Sequence, residues 1–294
     1  MMKEIQKLKD QLLMEELQRQ GKAPKKRLWV FLGLTLVLLI SAGGYWYYTT
    51  QQKRLEETLQ KGLALRQAEQ YTEAVELFVK LYDENPDFAQ APQVLFQTAE
   101  IQDLYLGHYS EALLTYLLLE RHFPGAAEVL PARQKVALLY KYRLNDCSQA
   151  IAVYQKILDQ PGPGNDRLQY EVADCYFRLN NFNQARIEFE SLQNNYPYST
   201  LVAEVQYRIA VTYALEGKLP EAAAAYGSVV EGWAESPYAL EASFGLATVL
   251  EEQEKLLEAL NILEDLAGIY PKKDILERKT KQVRERIEKK KKAI

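Results

Sequence analysis

Two different patterns of apolar residues divide the chain. From Leu28 to Tyr48 the sequence reads LWVFLGLTLVLLISAGGYWYY, without a single charge. As a helix, a run of this length spans roughly 30 Å, the thickness of a bilayer's hydrocarbon core. Trp29 lies at one edge and Tyr45, Trp46, Tyr47 and Tyr48 at the other, where aromatic rings suit the two headgroup interfaces. The pattern predicts a transmembrane helix over 28–48. Three alternatives are weaker, one of them the reverse orientation with the N-terminus outside. A buried core helix rarely lacks any polar face, and a leader cleaved near Ser41-Ala42-Gly43 would carry a long charged segment before its apolar run.

Beyond this run the apolar positions follow helical spacing inside a longer period. An alanine recurs at Ala74, Ala112, Ala150, Ala185, Ala222 and Ala259, at intervals of 38, 38, 35, 37 and 37 residues. Four residues after each stands Phe78, Tyr116, Tyr154, Phe189, Tyr226 or Leu263, on the same helical face. Prolines follow at Pro86, Pro124, Pro161, Pro197 and Pro271, where a helix must stop. Small residues precede the marker alanines by one helix: Gly62, Ala99, Ala137, Ala173, Ala210 and Ala247. They let two helices approach closely. The unit is therefore a helical hairpin, and each hairpin leaves an apolar face that only the next can cover. Repeats two and three carry one extra residue between small position and marker, which predicts a longer or bulged first helix.

These positions resemble the tetratricopeptide repeat family. Repeat four matches best, with Ala173, Tyr176, Phe182, Ala185, Phe189, Leu192 and Pro197 on the family's consensus positions. The resemblance covers about 55–272 and implies an all-α fold: a single N-terminal transmembrane helix followed by an α-solenoid of about six hairpins with a C-terminal capping helix. The segments NNYPYSTLVAEVQYRIAVTYALEGK and SPYALEASFGLATVLEEQEKLLEA look like the repeats of two periplasmic adaptors. One is the Tol–Pal-associated cell-division coordinator and the other the lipoprotein of the outer-membrane β-barrel assembly machine. No lipid-anchor cysteine is present here, and the layout is similar instead to the ancillary subunit of the Sec translocon. The expected organisation is a basic cytoplasmic tail (1–27), the span (28–48), a linker (49–54), repeats one to three (55–160), repeats four to six (166–271) and a charged cap (272–294). Pro161-Gly162-Pro163-Gly164-Asn165-Asp166 is expected to separate the two sets of repeats, by a bend or merely a longer loop.

Charge sharpens this picture. Residues 1–27 hold eight Lys/Arg against four Asp/Glu, and 272–294 hold eleven against four, although the whole chain carries −4. The body between is therefore strongly acidic, which argues against a nucleic-acid surface. Lys22, Lys25, Lys26 and Arg27, with Arg19 behind them, place the N-terminus in the cytoplasm and the repeats outside it, in the bacterial periplasm across the inner membrane. The run Lys289–Lys292 is read as part of a solvating cap, or as a surface for anionic lipid or an acidic protein. Met1–Gln20, with Ile5, Leu8, Leu12 and Leu13 at helical spacing, is a solvated tail or a helix that pairs with a partner.

No catalytic, metal-binding or cofactor motif is present in the sequence, and the chain is read as a protein-binding scaffold, not an enzyme. The two histidines and two cysteines do not form a ligand set. Cys147 and Cys175 are either free thiols used as small apolar residues or a disulfide pair brought together by neighbouring hairpins. The resemblance implies a concave groove formed by the first helices. The groove positions are Phe96, Tyr170, Asp174, Phe177, Arg178, Tyr207, Val211, Phe244 and Thr248. Tyr170, Tyr207 and Phe244 recur at 37-residue intervals and are expected to form a stripe left uncovered by the next hairpin. The partners implied are envelope or exported proteins, with self-association as the alternative. Glu251 is expected to be a neutral surface position.

Overall fold

A computed structural model describes residues 1–19 and 29–292 of the chain. Lys22, Lys25, Lys26, Arg27 and Leu28, and Ala293 and Ile294 of the predicted cap, lie outside the described residues. Among the described residues all regular structure is helical. The chain forms two compact units, Met1–Val94 and the remainder from Leu95.

The first unit contains α1, bounded by Met2 and Gln67, and α2 (Tyr71–Glu84). The stretch from Trp29 is long and apolar enough to cross a membrane, and no residue of its apolar window is buried inside the protein. Residues 49–54, expected as a linker, are helical and belong to α1. The reason is local: Thr49-Thr50-Gln51-Gln52-Lys53-Arg54 contains neither glycine nor proline, so nothing stops a helix already under way. The end of α1 then serves as the first helix of repeat one. Gly62 is the close-approach point, since a Cβ there would lie 2.1 Å from the Phe78 ring on α2.

In the second unit the helices alternate as the period predicts. The first and second helices of repeat two are α3 (Ala91–Ile101), which begins in the first unit, and α4 (Tyr109–His122). Those of repeat three are α5 (Val129–Leu138) and α6 (Cys147–Leu158), and of repeat four α7 (Asn165–Arg178) and α8 (Phe182–Asn195). Repeat five has α9 (Val202–Leu215) and α10 (Leu219–Gly232), and repeat six α11 (Pro237–Glu252) and α12 (Leu256–Asp265). The cap is α13 (Lys273–Lys292). All six marker alanines have 0 % exposure, and the large residues four positions on are likewise buried.

The turn inside each hairpin is set by one residue five positions before the marker alanine. Glu69, Gly107, Asn145, Asn180, Gly217 and Glu254 all have φ between 53° and 72°. This left-handed residue turns the chain and lets the next amide reach back to the first helix. In repeats one, four, five and six that amide bonds a carbonyl five residues back, as Asn181 does to Tyr176 at 2.9 Å. The extra residue of repeats two and three is absorbed as a π-helical turn, Gln102–Leu106 and Leu139–Arg143. There the amide reaches six residues back, His108 to Gln102 at 2.8 Å and Asp146 to Tyr140 at 2.7 Å. The insertion therefore lies within the first helix, and the hairpin packing downstream keeps its phase.

Two expectations need correction. The Pro161–Asp166 segment does not divide the repeats. Cys147, Ala150, Ile151 and Tyr154 of α6 share one core with Val172 and Cys175 of α7 across that loop, and the loop itself is closed by an Asn165 bond to the Gln160 carbonyl (3.0 Å). Nor is Glu251 on the surface. It is 1 % exposed and accepts bonds from Gln282 and Arg286 of α13, both at 2.9 Å, with Lys279 also paired to it. The cap covers it. Leu276, Val283 and Ile287 of α13 enter the same core as Ala247, Leu250, Ala259 and Leu263, so α13 closes the array as a terminal helix must.

Candidate functional site

The first helices of repeats three to six carry a connected polar surface. Lys141, from the π-turn of repeat three, is fully buried and bonds Glu171 at 2.5 Å and Asp174 at 2.6 Å on α7. Burial alone would lower the pKa of this ammonium, but the bonds to Asp174 and Glu171 outweigh it and raise it above the usual lysine value. Arg208 on α9 approaches Asp174 at 3.6 Å and lies 5.4 Å from the Phe177 ring centroid. The Tyr170 hydroxyl bonds Glu204. One repeat on, Tyr270 donates to Glu241 at 2.9 Å and Lys272 to the same carboxylate at 2.8 Å. These contacts tie the π-turn of repeat three and α9 to α7, and α11 to the segment that leads into α13.

The predicted aromatic stripe is half-buried, because each ring lies on another aromatic, for Phe96, Tyr170 and Tyr207 one on the second helix of the same hairpin. Phe96 packs on Tyr116 and Tyr170 on Phe189, each pair with centroids 5.7 Å apart. Tyr207 meets both Tyr226 and Tyr238, and Phe244 stacks on Tyr270 at 5.1 Å with rings 7° from parallel. The stripe expected to be left uncovered by the next hairpin is met there by Tyr238, on Tyr207, and by Glu204, on the Tyr170 hydroxyl. Burial also raises the pKa of the phenols. That of Tyr238 goes up to about 12, helped by its bond to Glu204.

Four of the nine predicted groove residues, Tyr207, Val211, Phe244 and Thr248, line one cleft of about 440 Å³ between α9 and α11, closed at one end by Tyr270, Lys272 and Ile275. The other five lie outside it. Asp174 is committed to Lys141 and Arg208, Phe177 packs on Phe182, and Arg178 reaches Asn145 at 3.4 Å. Tyr170 is held by Glu204, and Phe96 sits on Tyr116. Gly245 makes the floor possible. A Cβ there would fall 2.6 Å from the Tyr226 ring, so only glycine lets α11 lie on that ring. Tyr226, Gly245, Glu241, Glu252, Tyr270 and Lys272 also line the cleft and were not among the predicted groove positions. A signal for the acidic pair network was present: Glu204 and Glu241 recur at the 37-residue period, each three residues before a stripe aromatic.

An apolar floor with a rim of Glu241, Lys272 and Glu252 can seat a side chain of another protein while its backbone meets the polar edge. Tetratricopeptide repeat family models match residues 143–209 and 207–274. The chain is a tetratricopeptide repeat protein. Among solved structures it is similar to a tetratricopeptide repeat protein from Parabacteroides merdae ATCC 43184, at 18 % identity over 72 % of this chain and 78 % of that one, with a TM-score of 0.52. It is also similar to PilW, a widely conserved type IV pilus biogenesis factor, at 15 % identity over 76 % of this chain and 97 % of that one, with a TM-score of 0.48. These likenesses concern the fold. No protein of curated function matches the sequence significantly. Both family matches fall in the second unit and include the whole cleft up to Lys272, leaving Ile275 just beyond.

Proposed function

We propose that this tetratricopeptide repeat chain is a single-pass membrane-anchored scaffold that captures other proteins in the cleft between repeats five and six. The observation that carries the reading is the convergence of Tyr207, Val211, Phe244 and Thr248 on one open, aromatic-floored cleft. Aromatic and aliphatic floors of this kind bury a partner's anchoring side chain at low entropic cost. The exposed apolar stretch from Trp29 supports anchoring, because in water its side chains would have no cover. The basic residues before it support an N-terminus in the cytoplasm and repeats in the periplasm of a bacterial inner membrane. Partners there are envelope or exported proteins, and the work is envelope biogenesis or protein export, without catalysis. Self-association is the second reading. It rests on Ile5, Leu8 and Leu12, which are exposed on one face of α1.

Thr248→Arg tests the cleft directly. A long side chain at this half-buried position fills the cleft while its guanidinium reaches water at the rim. Pull-downs from solubilised membranes should lose a bound partner at least about tenfold, a change of about 1.4 kcal/mol, with circular dichroism and melting temperature nearly unchanged. Undiminished capture by the folded variant would exclude the cleft as the binding site.

A further inference from the structure

Cys147 and Cys175 stand apart from the binding surface, and the repeat pattern gives no reason for the first of them. Each second helix opens on one equivalent position: Tyr71, Tyr109, Cys147, Phe182, Leu219 and Leu256. Five of the six are large and apolar or aromatic. In repeat three a small thiol takes that place, 5 % exposed, at the start of α6. Facing it, near the end of the antiparallel α7, is Cys175 with 0 % exposure. Both belong to one core cluster with Ala150, Tyr154 and Val172. The Cys175 thiol engages that of Cys147 and lies near the Lys141 ammonium. Both cysteines are free thiols in this structure.

We infer that Cys147 and Cys175 are a disulfide-forming pair, oxidised by exchange with an external disulfide, that staples the second helix of repeat three to the first helix of repeat four. The exchange balances without another reagent. The Cys147 thiolate, nearer the surface, attacks the external disulfide, forms a mixed disulfide and expels one thiolate. The Cys175 thiolate then attacks the Cys147 Sγ and expels the second. The two cysteines lose two protons and two electrons, and the external disulfide leaves as two thiols. Burial raises the Cys175 pKa, so the second step needs local opening of the α6–α7 pair. The bond would close the segment from Cys147 to Cys175 covalently and remove chain entropy from the open state. The inference stands on the facing positions and is independent of the compartment in which the repeats lie.

The test uses the full chain in detergent, equilibrated in a buffer of oxidised and reduced glutathione. Urea is added until the single variants Cys147→Ser and Cys175→Ser each acquire a glutathione adduct, which shows that the oxidant reaches both sites. The sample is then quenched in acid, denatured, alkylated and weighed. The expected wild-type product carries neither alkyl label nor glutathione, runs as a monomer, and melts several degrees above its reduced form. The single variants should show no such oxidation-dependent rise. Two labels or two glutathione adducts on the wild type, or covalent dimers in place of the internal bond, would overturn the inference.

Discussion

Replacing Glu251 with alanine should release the cap. The carboxylate is 1 % exposed at the end of α11, and its side-chain partners Lys279, Gln282 and Arg286 come from α13. Removing it leaves Lys279 facing a buried site without its counter-charge, while Arg286 keeps its pair with Glu254. Breaking a buried pair in this way typically costs about 3–5 kcal/mol. The Lys279 and Arg286 side chains are 17 % and 35 % exposed, so water recovers part of the loss, and the lower end, about 3 kcal/mol, applies. At about 1.4 kcal/mol per tenfold, the amides of α13 should exchange with solvent roughly a hundred times faster, while those of α7 to α10 change little. Burial alone would raise the Glu251 pKa, but the bonds from Lys279 and Arg286 outweigh it and hold the carboxyl below its usual value. A carboxyl lowered in the folded state contributes its full stabilisation above the unfolded pKa and loses it as pH falls through the folded one. Wild-type protection of α13 should therefore persist through the ordinary carboxylate range and fall only in stronger acid, whereas Glu251→Ala should show the reduced protection without that pH dependence. Equal α13 exchange in variant and wild type at neutral pH would refute the latch.

Further outcomes follow from the same contacts. Ala185→Phe and Ala222→Phe each force a ring into a position with 0 % exposure and should each lower stability by about 1–3 kcal/mol or more, read from thermal melts; unchanged melts would mean the helix–helix register is misassigned. The Tyr154 hydroxyl is buried and unpartnered among the described residues, so Tyr154→Phe should leave the melting temperature unchanged or raise it; a clear loss would reveal a partner for that oxygen. An alkaline phosphatase fused after Ile294 should be active, and a fluorescent protein that matures only in the cytoplasm should stay dark there; the reverse pattern would place the repeats in the cytoplasm.

Much of the fold was legible because its determinants are local or periodic. The marker alanines and the small residues opposite them set the hairpin contact, and both can be read at a fixed spacing. Even the π-turns of repeats two and three announce themselves as one extra residue. What escaped depends on contacts remote in sequence. Glu251 looks like any helical glutamate, and only Lys279, Gln282 and Arg286, on a helix that reads as solvated charge, make it a buried one. The division expected at Pro161–Asp166 failed for a related reason: a proline–glycine loop marks a break in helix, not a break in core, and Cys147 and Val172 pack across it. For the groove, the 37-residue recurrence located Tyr207 and Phe244 but not the rings behind them. The same recurrence grouped Tyr170 with them, although its hydroxyl is held by Glu204 and it lies outside the cleft. The cleft itself depends on Gly245, a single missing side chain over Tyr226, which no periodicity marks.

The most direct measurement is site-specific photo-crosslinking in intact cells. A photoreactive residue at Thr248 sits inside the cleft, and one at Leu114, which is 67 % exposed on α4, sits on a second-helix surface remote from it. The account predicts a discrete protein adduct from Thr248, its loss when Val211 is changed to Glu in the same chain, and no such adduct from Leu114. An adduct from Leu114 alone, or one from Thr248 that survives Val211→Glu in a folded chain, would contradict the claim that the repeat-five–six cleft holds the partner.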